Sequence, residues 1–139
     1  MTTIVCALDE SAGAAEAVVV AASLSEVLGL RLVLAHVANG YGPGNGAGMA
    51  GVQSHERAQQ LLERVARKHN LESSADRRAE VGDRASELSR IAGEEGAALI
   101  VVGSRSRSRR RRNLVSGLSA ELRSTAPCPV LVVPPRPRR

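Results

Sequence analysis

Residues 97–134, AALIVVGSRSRSRRRRNLVSGLSAELRSTAPCPVLVVP, decide the fold. An apolar run at 98–102 stops at Gly103-Ser104, and an arginine-loaded polar segment follows. A short helical pattern then starts near Ser116-Gly117, and a second apolar run, Val130, Leu131, Val132 and Val133, sits between Pro129 and Pro134. Strand, loop, helix, strand is the second half of a βαβ unit. In open α/β sheets ligands collect where a strand's carboxyl end meets a helix's amino end, because unsatisfied N–H groups and the helix dipole converge there. If the protein binds an anionic ligand, the loop from Gly103 to Gly117 is the place expected for it.

The rest of the chain repeats the alternation. Residues 3–8 (TIVCAL) form a β-branched-rich run that reads as a buried strand, and Asp9-Glu10-Ser11 then suits a helix start before an alanine-rich stretch to Leu28. Gly29 is the stop, and 31–37 (RLVLAHV) is a second strand, apolar on both faces as parallel strands are. Residues 38–52 carry glycine at 40, 42, 44, 46, 48 and 51 and are expected to form a mobile surface loop. From Ser54 to His69, apolar residues at 58, 61, 62, 65, 66 and 69 predict an amphipathic helix. The charged run 74–81 fits a third strand at a sheet edge. Gly82-Asp83 opens a helix with Ala85, Leu88, Ile91 and Ala92 on one face, stopped between Gly93 and Gly96. Nine elements alternating at this spacing argue a single doubly wound α/β domain, a five-stranded parallel sheet with helices on both faces. The domain is expected over residues 1–134, with an exposed basic tail at 135–139.

Composition narrows the function. The 139 residues include no Phe or Trp and a single Tyr41, so the core is aliphatic and platforms for stacking bases are absent. Of the 19 Lys and Arg, six lie between Arg105 and Arg112 and three in the tail, and the remainder of the domain is mildly acidic. The formal charge of +5 therefore describes two local segments and not a general nucleic-acid surface. Cys6 and Cys128 lie in or beside strand patterns and read as buried thiols of a reducing cytoplasm. No apolar run approaches the ~20 residues of a spanning helix, so a cytoplasmic protein with no membrane association is expected.

Motifs for catalysis are thin. Gly46-Ala47-Gly48-Met49-Ala50-Gly51 matches G-x-G-x-x-G, but about nine residues separate it from its strand, whereas the dinucleotide mechanism needs the glycines at the strand–helix turn. No G-x-x-x-x-G-K-[ST] occurs. His36, His55 and His69 are scattered and, with the two cysteines, show no metal-ligand spacing. Asp9, at the carboxyl end of the first strand, reads either as a helix cap or as a ligand contact.

These residues taken together resemble the universal stress proteins, a small α/β family with strand order 3-2-1-4-5. The match runs through 4–9 with its strand-ending Asp9, Leu34-Ala35-His36-Val37, Gly82-Asp83, the run from Gly96 to Arg105, and Ala126-Pro127-Cys128-Pro129-Val130. Members that bind ATP carry G-x2-G-x9-G-[ST] after the fourth strand. Here Gly103 holds the first glycine position, Ser106 stands at the second, and the final pair is inverted as Ser116-Gly117. Glycine in such a site lets the backbone approach phosphate or adopt positive φ, so the motif is damaged but not erased.

The resemblance implies that Ala7, Asp9 and Val37 meet the adenine and ribose of a nucleotide. Its phosphates would lie on Gly103, Arg105, Ser106, Ser116, Gly117 and Leu118. The implied ligand is ATP with Mg2+, bound weakly and without fast hydrolysis. Arg107 to Arg112 reads as a solvated charged loop, or as guanidinium compensation for the lost glycines. Val130 to Val133 reads as an apolar edge strand, and the resemblance implies a homodimer pairing through it. Three functions remain open: a stress-response regulator whose nucleotide occupancy is read by an unnamed signalling partner, a dimeric interaction module that has lost ATP, and an electrostatic nucleic-acid binder acting through the arginine loop.

Overall fold

The computed structural model describes residues 2–9, 13–39, 49–104 and 117–136. Five strands and four helices alternate: β1 (Thr3–Ala7), α1 (Gly13–Leu28), β2 (Arg31–Asn39), α2 (Met49–Lys68), β3 (Ala75–Gly82), α3 (Arg84–Glu95), β4 (Ala97–Gly103), α4 (Gly117–Thr125) and β5 (Val130–Val133). All strand pairs are parallel and the order is β3-β2-β1-β4-β5, as the resemblance implied.

The strand period of two divides the core into halves. Ile4, Cys6 and Leu8 join Leu32, Leu34 and Val101 beneath α1 and α2. Val5 and Ala7 join Val33, Ala35, Val37, Ile100 and Val102 beneath α3 and α4. β1 is buried along its whole length because both layers close over it. A register shift, with Thr3 opposite Ala97 but Ile4 opposite Leu99, leaves Ala98 as the extra residue of a bulge. It is why Ala97 and Ile100, three apart, face the same layer.

The helix ends follow local chemistry. Gly82 stands at φ +154°, and a Cβ there would approach Glu87 Cγ at 3.1 Å. That turn presents Asp83 as the cap of α3, its carboxylate accepting from the Ser86 N–H at 3.0 Å. Ala85, Leu88, Ile91 and Ala92 are the buried face of α3, the four positions the periodicity selects, and Gly96 ends the helix in the left-handed region at φ +65°. α2 departs from expectation. It starts at Met49 and not near Ser54, because Met49 and Ala50 are good helix formers and one interior glycine, Gly51, costs only about 1 kcal/mol. Residues 49–52 are therefore helix, and the rest of the expected loop, apart from the two residues that prolong β2 to Asn39, lies outside the described residues.

The two sheet edges differ. β3 carries Arg77 and Arg78; Arg78 pairs with Glu80 at 3.2 Å and with Glu94 and Glu95 at 2.9 Å each, and Arg31 also pairs with Glu95. These contacts, led by the bond to Glu95, hold the Arg78 guanidinium firmly protonated. Half-exposed pairs of this kind add little stability, but charge along an edge discourages pairing with another chain. β5 carries no charge, pairs on one side with β4, and exposes Leu131 at 38%. Among the described residues no helix is long and apolar enough to cross a membrane.

Two stability outcomes follow from these positions. Asp83→Ala removes the α3 cap and is expected to lower the unfolding free energy by about 1 kcal/mol in urea titration. Thr3 Oγ1 is buried and has no hydrogen-bond partner among the described residues. Thr3→Val, nearly isosteric, should raise stability by about 1 kcal/mol in the same assay, and a loss would show that the hydroxyl is bonded.

Candidate functional site

The sheet winds in opposite directions from β1: β2 and β3 lie on one side, β4 and β5 on the other. Adjacent crossovers therefore diverge between β1 and β4, and a crevice opens beyond the strand ends at that switch point. Register sets its height. Ala7 is level with Ala35 on β2 and Val102 on β4, and Gly103 is level with Val133 on β5.

The backbone leading to Asp9 is fixed from two sides. Leu8 N–H donates to the Ala35 carbonyl at 2.7 Å, and His36 Nδ1–H donates to the Leu8 carbonyl at 2.5 Å. His36 thus holds the end of β1 in place. On the β4 side, Ser104 N–H donates to the Val133 carbonyl at 2.7 Å, tying the backbone just after Gly103 to β5.

The crevice is walled by Ala7, Leu8 and Asp9 from β1, Val37 from β2, Val102 and Gly103 from β4, Arg84 and Leu88 from α3, and Leu118 from α4. Five residues that the sequence assigned to a ligand (Ala7, Asp9, Val37, Gly103 and Leu118) converge there, although they are up to 111 positions apart in the chain. Gly117 opens α4 next to Leu118. Arg105, Ser106 and Ser116 lie outside the described residues, as do Arg107 to Arg112. The cavity is narrow, about 20 Å³, room for roughly one water molecule.

Arg84 is the residue that sequence reasoning missed. It occupies the first position of α3, directly after the Asp83 cap. A cation there opposes the helix dipole, an arrangement that disfavours it by several tenths of a kcal/mol. Among the described residues it makes no ion pair or hydrogen bond, and the acid one turn on, Glu87, is engaged by Arg90 at 2.5 Å. The available signal was a basic residue in a first helical turn, where acids are the rule.

The remaining reactive groups stand apart. Cys6 is wholly buried, which pushes its thiol up to about 12, and Cys128, half-buried, is raised more modestly. Neither is bonded to the other. His55 Nε2–H donates to the Ala79 carbonyl at 2.9 Å, tying α2 to β3. Among the described residues no group of three His, Cys, Asp or Glu side chains is placed to hold a metal ion.

Known proteins give the same picture. The Universal stress protein family matches residues 1–134. Among solved structures, a protein of that family from Burkholderia pseudomallei superposes with a TM-score of 0.71 at 27% identity, over 97% of this chain and 96% of its own. A universal stress protein from Archaeoglobus fulgidus in complex with dAMP gives 0.69 at 18% identity, covering 96% and 98%. A universal stress protein in complex with cAMP gives 0.65 at 20% identity, covering 97% and 98%. Among curated protein sequences none matches. With a family match over nearly its whole length and a sheet order to agree with it, the chain belongs to the universal stress protein family.

Proposed function

We propose that the crevice at the β1–β4 switch point takes an adenine nucleotide, ATP with Mg2+, and that the protein is a cytoplasmic stress-response regulator whose occupancy a signalling partner reads. The observation that carries this reading is the convergence of Ala7, Asp9, Val37, Gly103 and Leu118 on one crevice with an unpaired Arg84 beside them. Complexes of relatives with dAMP and cAMP support the ligand class. Asp9 would accept from ribose hydroxyls, the role a strand-end carboxylate plays in dinucleotide folds. Val37 and Ala7 would flank the base. Gly103 and the amino end of α4 at Gly117 would receive phosphate through backbone N–H groups, with Arg105, Ser106 and Ser116 contributing as the resemblance implies.

Affinity is expected to be weak for a physical reason. A crevice of about 20 Å³ admits a base only after side chains such as Leu88 and Leu118 swing aside, and that rearrangement subtracts from binding. The same narrowness, with serine at 106 and the inverted Ser116-Gly117, favours a second reading: an interaction module of the family that has lost its nucleotide. In either reading the apolar edge of β5 supports a homodimer pairing through Val130 to Val133.

Calorimetric titration with ATP and magnesium separates the two. A dissociation constant of about 0.1–1 mM is expected, weakened about tenfold in Asp9→Ala. Arg84→Ala should weaken ATP about tenfold and leave adenosine unchanged, since a guanidinium acts on phosphate. No binding at about 10 mM ATP, or an unaltered constant in Asp9→Ala, would establish the second reading. For assembly, sedimentation velocity should show a dimer that Leu131→Lys converts to monomer; an unchanged dimer would place the interface elsewhere.

A further inference from the structure

The opposite face of the sheet carries a second hollow. α3 packs directly on α4, whereas α1 and α2 stand apart, and a groove of about 310 Å³ runs between them. That volume is at the lower bound of small-molecule sites, and far larger than the crevice across the sheet. Small side chains create it: Ala14 and Ala15 on α1 leave space that larger residues would fill.

Its lining is amphipathic by helical geometry. Leu61, Arg64, Val65, Lys68 and His69 recur at i, i+3, i+4, i+7 and i+8 along α2 and its end, so apolar and basic side chains share one stripe. Leu61, Val65 and, from α1, Val18 make an apolar floor. Arg64 and Lys68 form a rim one helical turn apart and make no ion pair among the described residues. By contrast Arg31, Arg67, Arg77, Arg78 and Arg90 each meet a carboxylate. Burial and then the Lys68 charge lower the proton affinity of His69, which registers the positive field at the rim. Asp9 lies on the facing wall, so charge is segregated within the groove.

The geometry points to a binding site for a medium-length aliphatic carboxylate, its tail on Val18, Leu61 and Val65 and its head on Arg64 and Lys68. An apolar floor rejects a fully hydrated anion, and the two basic side chains of the rim take a single carboxylate. One charge on one aliphatic tail satisfies both. The groove and the crevice lie on opposite faces and meet at Leu8 and Asp9, which line both, so the titration is made without nucleotide.

The test is a titration of the full-length protein with octanoate, in the absence of nucleotide, followed by methyl NMR. Saturable shifts are expected at Ala14, Val18, Leu61 and Val65. Octanol should bind about tenfold more weakly, and so should octanoate to the Arg64→Gln/Lys68→Gln double variant, because a charge-assisted pair is lost in each. Ala15→Phe, which fills the groove and leaves the basic rim in place, should abolish the shifts while circular dichroism shows the fold intact. The proposal is overturned if octanoate gives no saturable shift, if octanol binds as well, or if the shifts fall instead on Val27 and Leu28, exposed at 81% and 57%, as adsorption to open apolar surface would give. It is also overturned if the methyls shift with protein concentration alone, which would make a second copy the occupant.

Discussion

Burial of β1 on both faces is the constraint on which the rest depends. A strand with no solvent face must be almost wholly apolar, must lie between two others, and must have helices above and below it. Thr3, Ile4, Val5, Cys6 and Ala7 meet that demand with five small or β-branched side chains. Once β1 is central, right-handed crossovers send β2 and β4 to opposite sides, and the divergence beyond their carboxyl ends is unavoidable. The crevice is thus a consequence of topology. What this chain adds is the chemistry at its walls.

That chemistry is tied to the core by short links. Leu8, whose N–H and carbonyl are both bonded to β2, is the last residue of the buried run, and Asp9 follows it immediately. Gly103 is held level with the end of β5 by the bond from Ser104 to Val133. Gly82 and Asp83 set the start of α3 and therefore where Arg84 stands. Asp9, Gly103 and Arg84 each stand one or two positions from a backbone contact that packing enforces, so this part of the site inherits the rigidity of the sheet.

Much of this was legible in the sequence because it rests on periodicity. The four buried positions of α3 follow from a spacing of 3.6, and β1 and the edge strand Val130–Val133 from short unbroken apolar or β-branched runs bounded by turn residues. Asp9, Val37, Gly103 and Leu118 were legible through a family pattern. The extra turn of α2 was hidden by Gly51, since glycine density alone cannot tell a loop from the first turn of a helix that tolerates one glycine. Arg84 was hidden because no spacing rule tells which way a first-turn side chain leans, and the α1–α2 groove because the gap between two helices is a property of their packing on the sheet and not of either helix.

The unlike borders of the sheet have a further bearing. A parallel sheet offers every copy two open margins, and a protein sticky at both would polymerise into ribbons without end. Here one margin is salted with arginine and glutamate along β3 and the other, β5, is bare. Association through β5 would use up the uncharged border of each copy, and the charge along β3 would then halt growth at a closed pair and guard the chain against fibre formation.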